Sequence, residues 1–298
     1  MKGGEMRGLV IINGYPNGEK FLRQGTRIQK ALQNQGVETD LALNGEVYAY
    51  VDQEGKNHCS LAKNYDFAIY LDKDKYLGRM LEDMGLRLFN PASVVELCDD
   101  KMTTYLALGK SGLRLAKTIP APLCYTPNAT ANEVFLKQVE KELSFPLVMK
   151  KSYGSFGAGV VLVSDFEELK KWANEWLHVP HLYQEYVRES CGRDIRVIVV
   201  GGKALGGMER VAKEGEFRSN IELGGKGRKI ELKQAYIQAA ELVAKTLGLD
   251  YCGVDLLETE AGPIICEVNS NAFFEGFEEC LHIDVAEAYA KHIIKTIG

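Results

Sequence analysis

The stretch G-V-D-L-L-E-T-E-A-G-P-I-I-C-E-V-N-S-N, residues 253–271, constrains this chain most, because it sets Asp255, Glu267 and Asn269 among residues that otherwise have the make-up of buried strands. V-D-L-L and P-I-I-C-E-V are short aliphatic runs separated by E-T-E-A-G, whose glycine suits a tight connection, so the stretch reads as a β-hairpin. Side chains on a strand alternate faces. Ile265, Glu267 and Asn269 therefore share one face, Cys266 and Val268 the other, and Asp255 lies on the side of Leu257. Pairing Leu257 with Ile265 sets Asp255 opposite Glu267. Like charges directly opposite destabilise a sheet, and a hard cation between them is the economical resolution. Asp, Glu and Asn supply oxygen ligands alone, which suits Mg²⁺ held partly by protein and partly by substrate phosphates. A solvated acidic face without metal is the competing reading, since acids on strand faces are common.

A chain of 298 residues has room for a large core and about two domains. Its 46% hydrophobic and 26% charged residues are those of a soluble globular protein, and a net charge of -5 offers no general attraction for nucleic acid. No apolar run approaches the roughly 20 residues that span a bilayer, and G-L-V-I-I near the start is too short for a signal-peptide core. The expectation is a cytoplasmic protein without membrane or nucleic-acid partners. Seven cysteines without a C-x-x-C pair point to reduced thiols rather than a disulfide framework or zinc ribbon.

The first part alternates strand and helix. R-G-L-V-I-I-N-G-Y is followed by the helix E-K-F-L-R-Q-G-T-R-I-Q-K-A-L-Q-N-Q-G, then V-E-T-D-L-A-L, the strand Y-D-F-A-I-Y-L-D, the helix D-K-Y-L-G-R-M-L-E-D-M-G and the short strand L-R-L-F-N. Such alternation implies a small parallel α/β domain ending near residue 97. D-D-K-M-T-T-Y-L-A-L-G-K-S-G reads as a helix with acids at its N-terminal end. A β-β-α-β group follows, to about residue 187. Beyond it come a long hairpin turning at Gly201 and Gly202, the helix L-K-Q-A-Y-I-Q-A-A-E-L-V-A-K-T-L-G, the acidic hairpin and a last helix.

The loop K-K-S-Y-G-S-F-G-A-G-V, residues 150–160, has the glycines to bring backbone N–H groups to an anion and two lysines to supply charge. It lacks the G-x-x-x-x-G-K-[ST] of a P-loop, and no helix follows as in a Rossmann turn. Joining two strands, it has the geometry of a flap over nucleotide phosphates or, more plainly, of a long hairpin turn. The histidines form no catalytic motif. Arg196, Arg210, Arg218, Asp194 and Asn220 cluster in sequence around the long hairpin; singly, each reads as a solvated surface charge.

Taken in order, D-D-K at 99–101, F-P-L-V-M-K at 145–150, the glycine loop, Y-Q-E-Y-V at 183–187, G-V-D-L-L and E-V-N resemble the ATP-grasp superfamily. G-R-D-I-R-V-I-V-V-G, G-M-E-R-V-A-K-E-G-E-F-R-S-N and the C-terminal E-G-F-E resemble its RimK-type glutamate ligases. The likeness is specific from about residue 90 onward and loose before it. It implies an α/β fold with an N-terminal parallel pre-ATP-grasp domain (1–97), a small central lid (98–187) and a C-terminal antiparallel-sheet domain (188–298). By position, it implies that Lys101 and Lys150 contact ATP phosphates under a flap carrying Gly154, Ser155 and Gly157. Glu185 and Tyr186 would receive adenine, Asp194 would lie near the ribose, and Arg218, Ser219 and Asn220 would border the triphosphate. Asp255, Glu267 and Asn269 match the ligands of two Mg²⁺ ions, for which Mn²⁺ can substitute.

The activity so implied is ATP-dependent carboxylate–amine ligation through an acyl phosphate, with Arg196 and Arg210 as catalytic cations and Arg210 meeting the acyl phosphate. It would join an amino acid such as glutamate to a peptide, protein or small-metabolite acceptor, in a homodimer or tetramer. A D-alanine-ligase-like or carboxylase-like enzyme and a non-catalytic ATP-binding sensor are the alternatives. One departure stands out. The family commonly reads E-V-N-x-S-P-G, whereas this chain reads Glu267-Val268-Asn269-Ser270-Asn271-Ala272-Phe273, so Phe273 and Phe274 add bulk beside the expected acceptor pocket. The turn Asn13–Lys20, at the carboxyl end of the first strand, is a further candidate for substrate contact through Lys20.

Overall fold

The computed structural model describes residues 6–15 and 19–298. Its N-terminal sheet starts with β1 (Arg7–Ile12), in which every residue after Arg7 is buried; such an unbroken apolar run belongs to a strand covered on both faces. Helix α1 (Glu19–Asn34) buries Gln24, Gly25, Ile28, Ala31 and Leu32, a stripe at helical spacing, against that strand. Then follow β2 (Glu38–Leu43), a small hairpin of β3 (Ala49–Val51) and β4 (Asn57–Cys59), β5 (Phe67–Leu71), α2 (Lys75–Asp83) and β6 (Arg87–Phe89). The parallel order is β2-β1-β5-β6. The alternation read from the sequence is therefore present, while the β3–β4 hairpin lacked any pattern strong enough to announce it.

Helix α3 (Ala92–Asp99) leads into α4 (Lys101–Leu108). Between them Asp100 caps α4, its carboxylate accepting from the Met102 and Thr103 N–H groups, and so fixes Lys101 at the first helical position. The lid sheet, in the order β7-β10-β8-β9, is built from β7 (Thr118–Pro120), α5 (Glu133–Leu143), β8 (Leu147–Lys151), β9 (Val160–Val163), α6 (Phe166–Glu175) and β10 (His181–Glu185). The antiparallel pair β8–β9 carries the glycine loop at its tip.

The third sheet runs β13-β12-β11-β14-β15 and combines β11 (Arg193–Val200), β12 (Lys203–Val211), β13 (Lys226–Lys229), β14 (Tyr251–Leu257) and β15 (Ile264–Asn269). Gly201 and Gly202, at φ +56° and +74°, make the β11–β12 turn; two successive positive φ values are what a tight hairpin of this hand needs. Helix α7 (Gln234–Leu247) covers one face through Tyr236, Ala240, Val243 and Ala244. On the other, α8 (Glu275–Leu281) and α9 (Val285–Ile297) share one core with β1 and α1, so the first and third sheets are joined by continuous apolar packing. Asn90 pins the same junction: its amide donates to the carbonyls of Tyr251 (2.7 Å) and Ser270 (2.8 Å), and its carbonyl accepts from the N–H groups of Asp250 (2.7 Å) and Tyr251 (3.0 Å).

In the acidic hairpin Asp255 pairs with Glu267 as expected, but Leu256 pairs with Ile265 and Leu257 with Ile264. The expected pairing of Leu257 with Ile265 is corrected by a bulge at Cys266. One extra residue shifts the phase of the strand. Ile265 consequently joins Val268 in the core under α7, and Cys266 takes the cavity side with Glu267.

Candidate functional site

Two cavities meet where the three sheets converge. The larger, about 400 Å³, lies between the first and third sheets; the smaller, about 120 Å³, lies between the lid and the third sheet. Lys101, Gly154, Ser155, Arg210, Asn220 and Glu267 line both. The other residues that the resemblance implies for ATP, metal and catalysis each line one of them: Arg196 and Asn269 the larger, and Lys150, Gly157, Glu185, Tyr186, Asp194, Arg218, Ser219 and Asp255 the smaller.

The centre is a chain of charges on facing strands. Arg196 grips Asp255 with two parallel hydrogen bonds, Nε to Oδ1 at 2.7 Å and Nη2 to Oδ2 at 2.6 Å. Arg210 grips Asp194 in the same way (2.7 and 2.6 Å) and reaches Asp255 Oδ2 at 2.8 Å through Nη2. The register explains the match, because Arg196 stands across from Asp255 and Arg210 across from Asp194. Burial pushes the Asp255 carboxyl up, but the two guanidinium groups outweigh it and hold it below the usual range. Repulsion between Asp255 and Glu267 is relieved in part by these side chains, and Lys101 Nζ adds a contact to Glu267 at 3.3 Å. Among the described residues no hydrogen bond uses Nη1 of Arg210, which leaves that edge for a ligand while Nε and Nη2 are held.

The donor chemistry fits a hard cation. Two carboxylates, Asp255 and Glu267, stand paired across β14 and β15, and Asn269 lies one residue beyond Val268 with its amide 3.4 Å from Asp255 Oδ2. Among the described residues there is no cluster of three or more His, Cys, Asp or Glu that would form an all-protein cage. Mg²⁺ needs no such cage, since it is commonly held by one or two carboxylates together with substrate phosphates.

The glycine loop lies down over the site. Gly154, Gly157 and Gly159 have φ of +137°, +73° and +71°, so this path suits glycine. Lys101 Nζ donates to the Gly154 carbonyl at 2.9 Å, and Arg218 Nη1 to that of Gly157 at 2.9 Å. Arg218 is itself fixed by Glu216 at 2.7 Å; the hydrogen bond from Arg218 drops the Glu216 carboxyl to about 2. At the loop tip Phe156 stacks on Phe273 with ring centroids 5.9 Å apart, and Lys20 Nζ lies 4.3 Å from the Phe273 centroid. Phe273 thus enters the larger cavity, whereas Phe274 is buried in the core and leaves the pocket alone. Of the Asn13–Lys20 turn, residues 16–18 lie outside the described residues, and Asn13 and Lys20 line the larger cavity.

The partners of Asp194 and Glu185, and the places of Cys266 and Asp72, escaped the sequence reading. Asp194, expected near a ribose, directs its oxygens to Arg210 and to Ser219 Oγ (2.6 Å). Glu185 Oε1 accepts from the Lys117 N–H at 2.8 Å, which turns its side chain toward the hinge backbone. Cys266 faces Lys150 Nζ at 3.7 Å because of the bulge. Asp72 follows β5 at the carboxyl end of a parallel strand, the position where open α/β sheets bind ligands, and that rule was the available signal.

Comparison with known proteins gives the family of the chain. A family model for the RimK-like ATP-grasp domain matches residues 98–296. Human beta-citrylglutamate synthase B is 37% identical over 225 residues, covering 74% of this chain and 56% of that protein. A probable alpha-L-glutamate ligase of Marinomonas sp. (strain MWYL1) is 36% identical over 220 residues, 73% of this chain and 70% of that one. The chain spans little more than half the length of the human relative. A crystal structure of a RimK domain ATP-grasp protein from Sphaerobacter thermophilus superposes with a TM-score of 0.72 at 18% identity, over 96% of this chain and 98% of the other. The chain belongs to the RimK-like ATP-grasp family.

Proposed function

We propose that this chain is an ATP-dependent carboxylate–amine ligase that binds ATP in the smaller cavity and its carboxylate and amine substrates in the larger one. The observation that carries this reading is the wall the two cavities share. A γ-phosphoryl group and a carboxylate approaching from opposite sides would meet at Lys101, Arg210 and Glu267. In the reaction a carboxylate oxygen attacks the γ-phosphorus and ADP leaves with the bridging oxygen. The amine then attacks the acyl carbon, and inorganic phosphate and one proton depart.

Negative charge develops on the phosphoryl oxygens and then on the tetrahedral carbon oxygen, and fixed cations aimed at those atoms lower both barriers. Lys101 and Lys150 would take the phosphates, and Arg210 would offer Nη1 to the acyl phosphate while Asp194 and Asp255 hold its orientation. Arg196 orients Asp255 from the larger cavity. Glu185 and Tyr186 stand at the adenine end and Arg218, Ser219 and Asn220 along the triphosphate. Asp255, Glu267 and Asn269 would hold Mg²⁺, with Mn²⁺ able to replace it, and the ion supplies further charge neutralisation at the phosphates. With the loop down, the smaller cavity falls short of the ~300 Å³ at which ligand pockets begin, so ATP binding requires the flap to rise and its return to exclude water.

The family match favours a RimK-type ligase over a D-alanine-ligase-like or carboxylase-like enzyme, and the relatives' names favour glutamate as the amino acid joined to a small-molecule or peptide acceptor. The test is ADP release with ATP and Mg²⁺ across a panel of amino acids paired with acids and amines. A ligase releases ADP only with a particular pair, and Asp255→Ala plus Glu267→Ala abolishes it. Tight ATP binding without turnover across the panel would instead favour a sensor.

A further inference from the structure

Asp72 is a buried acid that the ligase reading leaves unused. It is 6% exposed and lines the larger cavity. Its Oδ1 accepts from the N–H groups of Lys73 (2.6 Å) and Asp74 (3.3 Å), which fixes the rotamer. Its Oδ2 is buried and makes no hydrogen bond among the described residues. The backbone beside it is also held, with Asn271 Nδ2 donating to the Asp72 carbonyl at 3.0 Å. A buried carboxylate oxygen without a partner is costly, and such a group persists where a ligand completes it.

Of the cations on the cavity wall, Lys73, Lys101, Arg196 and Arg210 are engaged by other groups. Lys73 Nζ is bonded to Asp99 and to Ser155 Oγ, and Arg196 and Arg210 grip Asp255 and Asp194. Burial pushes the Asp72 carboxyl up, against the opposing pull of the Lys73 N–H and the Asn13 side chain, as expected of an acid short of positive charge. What would satisfy Oδ2 is a compact donor with a full positive charge. The cavity walls include the rings of Phe21, Phe156 and Phe273, which suit the carbon skeleton of an organic ammonium better than a hydrated metal ion.

Resting on the ligase reading, we infer that Asp72 Oδ2 receives the ammonium group of an α-amino acid substrate in the larger cavity, making Asp72 the residue by which the site tells an amino acid from the same acid lacking its amine. An ammonium brings three N–H donors and a full charge to an oxygen that has neither. Charge-assisted hydrogen bonds of this kind correspond to a preference of about 10- to 100-fold.

The test is calorimetric titration of the full chain, with and without Mg²⁺ and a non-hydrolysable ATP analogue, against the twenty amino acids and against the des-amino analogue of whichever binds (glutarate where glutamate binds). The wild-type chain should bind the amino acid at least tenfold more tightly than its des-amino analogue. Asp72→Asn, which keeps Oδ1 and places an N–H₂ at the cavity, should erase that preference, leave the des-amino analogue and the ATP analogue within about twofold, and melt no lower than wild type. Equal loss for both ligands, or an undiminished preference in Asp72→Asn, overturns the inference. The wild-type comparison needs no variant, so a poorly folding Asp72→Asn does not remove the test. If no amino acid binds while the ATP analogue does, Asp72 has been misassigned but the nucleotide site stands; if the ATP analogue fails to bind, the ligase reading itself falls.

Discussion

Replacing Arg210 by methionine removes the guanidinium that links Asp194 to Asp255 while filling much of its volume. The two carboxylates fare differently. Asp255 keeps both hydrogen bonds from Arg196, whereas Asp194 keeps only Ser219 Oγ. Asp194 is buried, so the variant leaves a charge with no counterion in a poorly solvated site. Removing one partner of a buried pair costs about 3–5 kcal/mol. For a chain of this size a kilocalorie lowers the melting temperature by roughly 2–4 °C, which gives a drop of roughly 6–20 °C on thermal unfolding followed by circular dichroism. Adding Asp194→Asn should restore much of the loss, because an amide can remain uncharged beside Ser219. A melting temperature within about 2 °C of wild type would refute the claim that this pair is a buried, mutually dependent unit. At the folded protein's working temperature, Arg210→Met should depress turnover more than ATP affinity. Tenfold weaker ATP binding with normal turnover would show that Arg210 does not meet the acyl phosphate.

Other expectations follow from separate parts of the molecule. Asn90→Ala strands backbone groups of Asp250, Tyr251 and Ser270 at about 1–3 kcal/mol for each one left buried, so it should destabilise strongly and expose the junction of the first and third sheets to limited proteolysis; an unchanged digest would contradict that. Glu216, held near 2 in the folded protein, should contribute stability that is present above the ordinary glutamate value of about 4.3 and lost as the pH falls toward 2. Glu216→Gln should flatten that part of the pH–stability curve, and a carboxyl titrating near 4 in NMR would negate the Arg218 interaction. Phe273→Ala removes the ring under Phe156 and Lys20, and should speed protease cleavage within 153–159 without lowering the melting temperature more than a few degrees; an equally protected loop would mean that Lys101 and Arg218 hold it alone.

Much of the architecture was legible because it rests on period. Consecutive apolar residues in β1 and β5, the stripe on α1 and the glycine pair at 201–202 each have a direct structural counterpart. The ordered motifs also fall together around the two cavities, and the family match begins at residue 98, near the point where the resemblance became specific. What the sequence hid was local or non-periodic. A single extra residue at Cys266 reversed the faces of Ile265 and Cys266, and alternation cannot announce a bulge in advance. Asn90 looks like the end of a short strand until its four partners, far away in sequence, are known. Arg210 taken singly reads as a solvated charge and is singled out only through the family resemblance; the pairing of β11 with β12 and β14 shows why it is buried between two acids.

The central claim is that a carboxylate is activated by phosphoryl transfer across the shared wall of the two cavities. It is tested most directly by supplying the substrate acid with ¹⁸O in both carboxyl oxygens, together with ATP, Mg²⁺ and the amine, and weighing the inorganic phosphate released. An acyl phosphate passes one carboxyl oxygen to phosphorus, so the account predicts one ¹⁸O in each phosphate, formed in step with ADP and absent in Asp255→Ala plus Glu267→Ala. Phosphate free of ¹⁸O despite amide formation would contradict it.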